Sequence, residues 1–407
     1  MTIPSFLNDL IGQIGALLYY LLGLVLPAWL TVLLVTLIGI AVAVTFVAVL
    51  VMSQVWAERK VIARIQDRVG PNRVGPFGIL QSVADALKLL TKEDIVPANA
   101  DRLVFALAPL VVLVPSLMIF AVLPFNWDAT IARLDVGILY VLALATFPTI
   151  GIVMAGWASF NNYTLLGGMR AAAQLISYEV PEVLSVMPIV LLAGTMSLWG
   201  IANAQQGAWY ILAPIVGPLA FVLFFTAGIA EINRSPFDLP EAESEIIAGF
   251  HMEYSGMRFA LFFLAEYANA FSVSAIAATL FFGGWHGWIL PGYLWFVIKT
   301  YVLFLVMVWA RGTLPRLRYD QLMNLAWKIM LPLTLVNLLL AALLKTSGFM
   351  ESVLSFGWLG VLILLAINLV VVYILYRLYN QLFRAVRGSA GLPLLEATQP
   401  ATQGARP

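Results

Sequence analysis

The sequence predicts an all-α integral membrane protein with about nine transmembrane helices. Of its 407 residues, 62% are hydrophobic and only 11% are charged, whereas a soluble domain carries about 25% charged residues. The mean hydropathy is +0.95, which a soluble globule of this size cannot bury in one core. Apolar runs of about 20 residues, long enough to cross a bilayer as a helix, recur along the chain. The strands of a membrane barrel would instead alternate over roughly ten residues.

An N-terminal amphipathic helix is predicted within residues 1–28. Apolar residues recur there at helical spacing, and the segment contains no Lys or Arg, so it lacks the basic region of a cleaved signal peptide. We expect this helix to lie in the outer membrane interface. A tenth span is the alternative, but the two residues Pro27 and Ala28 are a short connection in which to reverse the chain.

The predicted spans form a polytopic domain over residues 29–384, followed by a compositionally disordered cytoplasmic tail at 385–407. Lys and Arg concentrate in the odd-numbered loops, and the even-numbered loops hold only Arg133 and Lys345. Because cytoplasmic loops carry the excess of Lys and Arg, we expect a multi-pass protein of the inner or plasma membrane with its N-terminus outward and its C-terminus cytoplasmic. The predicted spans are Trp29–Gln54, Leu103–Leu123, Val136–Ala158, Ala171–Trp199, Ile211–Ala230, Arg258–Phe282, Leu290–Ala310, Gln321–Leu344 and Trp358–Leu382.

Composition excludes several classes of function. The 22 Lys and Arg residues balance 21 Asp and Glu residues, for a net charge of +1, so the chain has no electrostatic basis for binding nucleic acid. It contains no Cys, which excludes disulfides, thiolate-bound iron–sulfur clusters and cysteine nucleophiles. The two histidines, His251 and His286, are too far apart in sequence for a convincing metal site.

The first long cytoplasmic loop, residues 57–101, is predicted to contain two amphipathic helices. Lys60, Arg64 and Arg68 recur every four positions, which is typical of a basic helix on the membrane surface. A doubled Val-Gly-Pro then indicates sharp turns, and helical spacing resumes over Ile79–Leu90. The alternative is an ordinary basic loop resting on lipid headgroups.

The second cytoplasmic loop, residues 231–257, is acidic, although loops on this side are normally basic. The spacing of Asp238 and Glu241 suits a capping box, and acids near a helix start interact well with the helix dipole. This structural explanation covers two or three of the acids. The full set is Glu231, Asp238, Glu241, Glu243, Glu245, Glu253 and the nearby Glu266.

Further carboxylates lie in the apolar spans. Glu179 and Glu182 share one face of the fourth span, with Pro181 between them expected to loosen the helix, and Glu266 lies in the sixth. Charged groups in hydrocarbon are costly, so they face the bundle interior or water and are functional residues by default. Crowded carboxylates can take up and release protons near neutral pH. Lys299 and Lys328 are possible counter-charges.

Four motifs together resemble the H subunit of bacterial NADH-quinone oxidoreductase, respiratory complex I, from about Trp29 to about Leu344. The acidic motif is also shared by subunits of membrane-bound hydrogenases, which leaves such a subunit as one alternative. A stand-alone cation or proton transporter is the other. The motifs are Glu58-Arg59-Lys60, Val69-Gly-Pro-Asn-Arg-Val-Gly-Pro-Phe-Gly78 with Asp85 and Lys88 behind it, Glu231-Ile-Asn-Arg-Ser-Pro-Phe-Asp-Leu-Pro-Glu-Ala-Glu-Ser-Glu245 and Glu253-Tyr-Ser-Gly-Met257.

The resemblance implies a subunit that joins the redox arm to the proton-pumping membrane arm and forms the access chamber for quinone, the substrate. FMN and the iron–sulfur clusters would belong to partner subunits. The implied partners are the quinone-site and terminal-cluster subunits of the hydrophilic arm, the small and antiporter-like membrane subunits, and the lipid bilayer. Whether the quinone is menaquinone or ubiquinone, and whether Na⁺ is carried, stay open.

The resemblance also implies a mechanism: quinone reduction changes the charge or proton occupancy of the chamber, and a chain of acidic residues passes this change into the membrane. Individual residues then have implied roles. The implied quinone-chamber residues are Arg59, Arg64, Arg73, Asp85 and Lys88. The implied proton-coupling residues are Glu179, Glu182, Glu231, Asp238, Glu241, Glu243, Glu245, Glu253 and Glu266.

Overall fold

A computed structural model describes residues 10–24, 26–126, 130–239, 249–287, 290–354, 359–370, 373 and 377. Throughout these residues the chain is helical with connecting turns and contains no β-strand, which confirms the all-α class. In chain order the helices are α1 (Leu10–Gly23), α2 (Ala28–Ile65), α3 (Gln81–Thr91), α4 (Arg102–Ile119), α5 (Gly137–Ala145), α6 (Phe147–Ala158), α7 (Asn162–Ala193), α8 (Leu198–Ala204), α9 (Val216–Glu231), α10 (Gly256–Phe281), α11 (Gly292–Thr313), α12 (Tyr319–Asn324), α13 (Leu331–Ser347), α14 (Phe349–Leu354) and α15 (Leu359–Val370).

Seven helical segments in the described part of the chain are long and apolar enough to cross a membrane. They are α2, α4, the α5–α6 pair, α7, α10, α11 and the α12–α13 pair, which a π-helix at Leu325–Met330 joins. Two shorter apolar helices, α9 and α15, lie within the predicted fifth and ninth spans. An integral membrane protein is therefore confirmed, and each of the nine predicted spans contains an apolar helix.

The two ends of the chain are described only in part. Within the predicted N-terminal segment, α1 is helical and exposes large apolar side chains such as Leu17 and Tyr20. Its position in the outer interface stays a prediction. The predicted tail at 385–407 lies outside the described residues.

The first span continues without a break into the basic segment. Helix α2 has 38 residues, which at 1.5 Å per residue is about 57 Å, nearly twice the hydrocarbon thickness of about 30 Å. No Gly or Pro interrupts it after Gln54; it ends at Ile65, with Gln66 as its C-cap, before Asp67 with a φ of 54°. The separate basic surface helix that we expected is therefore wrong as a separate element, because Lys60 and Arg64 lie in the last turns of α2 and Arg68 lies in the turn after it.

The second predicted loop helix is confirmed as α3. The Ser82 hydroxyl donates to the Met52 carbonyl oxygen at 3.0 Å, which holds α3 against α2. Prolines affect the neighbouring spans in different ways. The third span changes from α5 to α6 just before Pro148, whereas α7 runs continuously through Pro181 and does not show the loosening that we expected there.

Helix α10 lies at the centre of the bundle and packs tightly against α9. Phe271 and Phe281 of α10 and Phe224 of α9 are among the largest fully buried side chains. A Cβ atom on Gly228 of α9 would lie only 2.4 Å from Cγ1 of Val273 on α10. Small residues of this kind allow two membrane helices to approach closely. Glu231 lies at the end of α9 and Glu266 lies on α10.

Helix α9 is too short to cross the bilayer by itself. Its 16 residues extend about 24 Å, less than the hydrocarbon thickness of about 30 Å, so we expect the turn and the 3₁₀ helix Tyr210–Leu212 before it to lie at membrane depth. Backbone at this depth needs protein hydrogen-bonding partners. Asn368 of α15 supplies two, accepting from the Ile215 amide at 3.0 Å and donating to the Leu212 carbonyl at 2.9 Å. Asn337 donates to the Val216 carbonyl at 3.3 Å.

Candidate functional site

The first part of the acidic loop, Glu231–Leu239, is held in place by hydrogen bonds from two neighbouring segments. The amide nitrogen of Gln174 on α7 lies 2.8 Å from the carbonyl oxygens of both Ala230 and Phe237. On the other side, the Leu317 amide donates to the Pro236 carbonyl at 3.0 Å. These contacts give the charged side chains of this segment defined positions.

A buried ion network lies at the centre of this region. Arg234 Nη1 is 2.8 Å from both carboxylate oxygens of Glu58, and Arg234 Nε is 2.7 Å from Glu266 Oε1. Arg311 also pairs with Glu58, and the Arg234 guanidinium lies 4.1 Å from the ring centroid of Tyr267. The Glu58 and Arg234 side chains are only 5% and 8% exposed. The network thus joins α2, the acidic loop, α10 and α11.

Two further titratable groups lie beside this network. Arg316 Nη2 donates to Asp238 Oδ2 at 3.0 Å, yet burial raises the pKa of Asp238 above its ordinary value, against the opposing effects of Arg316 and Arg311. The imidazole of His251 interacts electrostatically with both Glu266 and Asp238, and burial lowers its pKa. His251 therefore belongs to the same electrostatic cluster as Glu266 and Asp238.

A second cluster, the Glu182–Glu231 carboxyl pair, lies inside the bundle. The two side chains hydrogen-bond with each other, and Glu179 is their electrostatic neighbour. Two carboxylates have acceptors only, so a hydrogen bond between them requires that one carboxyl holds a proton. This contact makes Glu182 and Glu231 candidates for proton transfer.

A cavity of about 30 Å³ adjoins the Glu182–Glu231 pair. A single water needs roughly 10–15 Å³, so the cavity has room for water. Apolar side chains form most of its lining. Of the described residues that line it, four are polar: Glu182, Glu231, Asn269 and Ser272.

The structure brings Arg59 and Asp85, two of the implied chamber residues, into contact. Arg59 Nη1 lies 2.6 Å from Asp85 Oδ2, and their side chains are 44% and 33% exposed. Gln81 donates to the other Asp85 oxygen at 3.2 Å. This pair links the end of α2 to α3. The three remaining implied chamber residues, Arg64, Arg73 and Lys88, are exposed.

Glu253 lies in a different environment from the ion network. Its Oε1 accepts from Asn161 Nδ2 at 2.8 Å, and the side-chain oxygen of Asn161 caps the start of α7 by accepting from the Tyr163 amide at 3.0 Å. Glu253 thus supports a helix cap, and its coupling role stays a prediction. Glu241, Glu243 and Glu245 lie outside the described residues.

The lysines considered as counter-charges have other surroundings. Lys299 Nζ donates to three backbone carbonyl oxygens, those of Phe282, Gly284 and His286, at 2.7, 2.9 and 2.7 Å. It therefore holds a loop in place, whereas Lys328 is exposed. Arg234 and Arg311 instead neutralise the buried carboxylates of Glu58 and Glu266.

Sequence reasoning missed Glu58, the pairing partners of Arg234, and His251. In the sequence, Glu58 is only the acidic residue of a basic run. It follows Gln54 by four residues, so the two lie on one face of a helix, and this was a weak indication that Glu58 is buried. For the ranges that the structure covers, no group of three or more His, Asp or Glu side chains is arranged to hold a metal ion.

Comparisons with known proteins agree with this architecture. The sequence profile of the NADH dehydrogenase family matches residues 38–342. The chain is 52% identical to the H subunit of NADH-quinone oxidoreductase from Geobacillus kaustophilus over 329 residues, which is 79% of this chain and 97% of that protein. It is 48% identical to the corresponding H subunit from Dehalococcoides mccartyi strain CBDB1 over 347 residues, covering 85% and 95% of the two chains.

Another relative, an H subunit of NADH-quinone oxidoreductase from Geobacter metallireducens, is 51% identical over 309 residues, with 73% of this chain and 93% of that protein covered. The family profile match at residues 38–342 contains the whole ion network, the Glu182–Glu231 pair and the Arg59–Asp85 pair. The chain therefore belongs to the NADH dehydrogenase family, as a membrane subunit of the H type of NADH-quinone oxidoreductase.

Proposed function

We propose that this chain forms the quinone access chamber at the junction of the redox and membrane arms, and that it couples quinone reduction to proton translocation through its buried carboxylates. The relatives' name supports quinone as the substrate. The chain has no Cys and so no thiolates for an iron–sulfur cluster. Electrons would therefore reach quinone from FMN and iron–sulfur clusters in the partner subunits of the hydrophilic arm.

One observation carries the proposal: two adjacent residues of α2 belong to two different ion clusters. Arg59 pairs with Asp85 in a half-exposed position, where a quinone and a soluble partner have access. Glu58 is buried and pairs with Arg234 and Arg311. A displacement or charge change at Arg59 acts directly on the backbone that positions Glu58.

The acidic loop extends this connection into the membrane. Arg234, which contacts Glu58, lies three residues after Glu231, whose carboxyl shares a hydrogen bond with Glu182. Reduction of a quinone to a quinol takes up two protons, which leaves the chamber more negative until they are replaced. In our proposal the Arg234 network shifts in response, and the Glu182–Glu231 pair gives up or takes a proton. Antiporter-like membrane subunits would receive this change.

The proposed orientation places these clusters on the cytoplasmic side. Arg59, Arg311 and Arg316 lie near helix ends joined by loops rich in Lys and Arg, which supports a cytoplasmic location by the positive-inside rule. Arg234 lies in the acidic loop but pairs with Glu58, next to Arg59. We expect a reporter tag after Gly388 to be cytoplasmic and a tag at the N-terminus to be outward. Both tags on one side would contradict this topology.

The chamber assignment can be tested with Asp85→Asn in the intact membrane complex. The change removes the charge that Arg59 pairs with and keeps the side-chain volume. We expect NADH-driven quinone reduction to fall several-fold, while electron transfer from NADH to a soluble acceptor such as ferricyanide is retained, because that acceptor does not need the quinone chamber.

Asp94→Asn is the matched control. Asp94 lies in the same loop and forms an ion pair of similar exposure with Arg258 at 3.1 Å, but it does not contact Arg59. The control should leave both activities near the parental values. Equal loss of both activities in Asp85→Asn would indicate failed assembly, and unchanged quinone reduction would remove Asp85 from the chamber.

A further inference from the structure

Ser272, on the central helix α10, has an unusual environment for a buried serine. Its side chain is 1% exposed and lines the cavity next to the Glu182–Glu231 pair. Among the residues that the structure describes, no group hydrogen-bonds with its Oγ atom. A buried hydroxyl without a hydrogen-bond partner is destabilising, so a group in the cavity that binds it would be stabilising.

The neighbouring serine shows what Ser272 lacks. Ser274 Oγ donates to the carbonyl oxygen of Ala270, four residues earlier, at 2.9 Å, the usual way in which a helical hydroxyl is satisfied. Thr279 does the same with Ala275 at 2.8 Å. Ser272 makes no such bond, so its hydroxyl remains available to a group in the cavity.

The cavity has the volume and the polar groups that a water molecule needs. Its volume of about 30 Å³ exceeds the roughly 10–15 Å³ that one water needs, and a buried water requires two to four polar partners. The carboxyls of Glu182 and Glu231 supply two of these partners and Ser272 a third, with Asn269 one turn before it on the same helix face. The apolar remainder of the lining offers a water no partner.

We propose that Ser272 binds a water molecule in this cavity and holds it against the Glu182–Glu231 pair, as a positioning residue for proton transfer. This proposal rests on the proposed function of the pair. The two carboxyls share one proton through their direct hydrogen bond. The water donates one hydrogen bond to the ionised carboxylate of the pair and the other to Ser272 Oγ, so it stabilises that carboxylate and keeps its own position while the shared proton leaves or arrives.

The test compares two variants of almost equal shape, Ser272→Thr and Ser272→Val, in the complete complex reconstituted into vesicles. Thr keeps the hydroxyl and Val replaces it with a methyl group. We expect Ser272→Val to lower NADH-driven proton translocation and coupled quinone reduction by about twofold to tenfold, the effect of one lost hydrogen bond, and to change their pH profile. Ser272→Thr should stay close to the parental protein, and ferricyanide reduction should be unchanged in both.

Ser274→Ala is the control, because it removes a buried hydroxyl from the same helix without touching the cavity. A purely structural Ser272 predicts the opposite pattern: Ser272→Ala would be as active as the parent and more stable, since an unsatisfied hydroxyl has gone. That result, or equal effects of Thr and Val, would overturn the proposal.

Glu231→Gln in the same preparation separates this proposal from the function on which it depends. If Glu231→Gln loses coupled activity while Ser272→Val retains it, the role of Ser272 is refuted and the proposed function stands. If Glu231→Gln keeps full coupled activity, the carboxyl pair is not part of the proton path and both proposals fail.

Discussion

Replacing Glu58 with Gln removes a buried negative charge that two arginines share. The Glu58 side chain is 5% exposed, with both oxygens 2.8 Å from Arg234 Nη1 and a further contact to Arg311. The next residue, Arg59, offers an internal comparison on the same helix. Its ion pair with Asp85 is short, at 2.6 Å, but the two side chains are 44% and 33% exposed.

The two variants should differ strongly in stability. Breaking a buried ion pair costs about 3–5 kcal/mol, because the remaining charge stays buried without compensation. Glu58→Gln keeps one oxygen acceptor and Arg234 keeps Glu266, so we expect the lower end, about 3 kcal/mol. Arg59→Gln breaks a solvent-screened pair worth about 0–1 kcal/mol. The difference of at least about 2 kcal/mol is roughly a thirtyfold change in an equilibrium constant.

The measurement is the midpoint temperature at which the purified complex disassembles in one fixed detergent, read by native gel and by residual ferricyanide reduction. The double variant Glu58→Gln with Arg311→Gln should recover part of the loss, since it also removes an uncompensated cation. Equal midpoints for the Glu58 and Arg59 variants, or a larger loss in Arg59→Gln, would refute the reasoning that burial decides the strength of these pairs.

Three other predictions concern single contacts. His251 has a pKa below its ordinary 6.5 in the folded protein, so the folded state loses stability as pH falls through 6.5 and below. The midpoint temperature of His251→Asn should therefore fall less between pH 7.5 and 5.5 than that of the parental complex. An equal fall would contradict this. Gly228→Ala should destabilise by about 1–3 kcal/mol through contact with Val273, and adding Val273→Ala should restore the midpoint if the clash is the cause. Lys299→Met leaves three carbonyl oxygens without their donor, at about 1 kcal/mol or more; the complex should disassemble at lower temperature while its initial rate of quinone reduction is unchanged.

Hydropathy predicted the helical spans well, because each segment that is buried in lipid must be apolar by itself. It was less successful where a helix depends on distant residues. The fifth span was expected from Ile211, but α9 begins at Val216, and Asn368 of α15 binds the backbone of Leu212 and Ile215 before it. Similarly, α2 continues past the membrane because its last turns pack against α3, α10 and α11, which local sequence does not show.

The acidic residues were recognised as a group, but their partners were not. Glu58 meets an arginine 176 residues away in sequence and another 253 residues away. No spacing rule connects such positions. The pairing of Glu182 with Glu231 was hidden for the same reason, and Lys299 was mistaken for a counter-charge because the sequence does not show that three carbonyl oxygens converge on it.

The dependence of α9 on Asn368 has a consequence for how the chain is made. The Ile215 amide and the Leu212 carbonyl are synthesised long before their partner, which follows 153 residues after Ile215 in the chain. Until α15 emerges from the ribosome and enters the membrane, these groups stay unpaired at membrane depth, where each costs several kcal/mol. The fifth span therefore settles only after the ninth has been inserted.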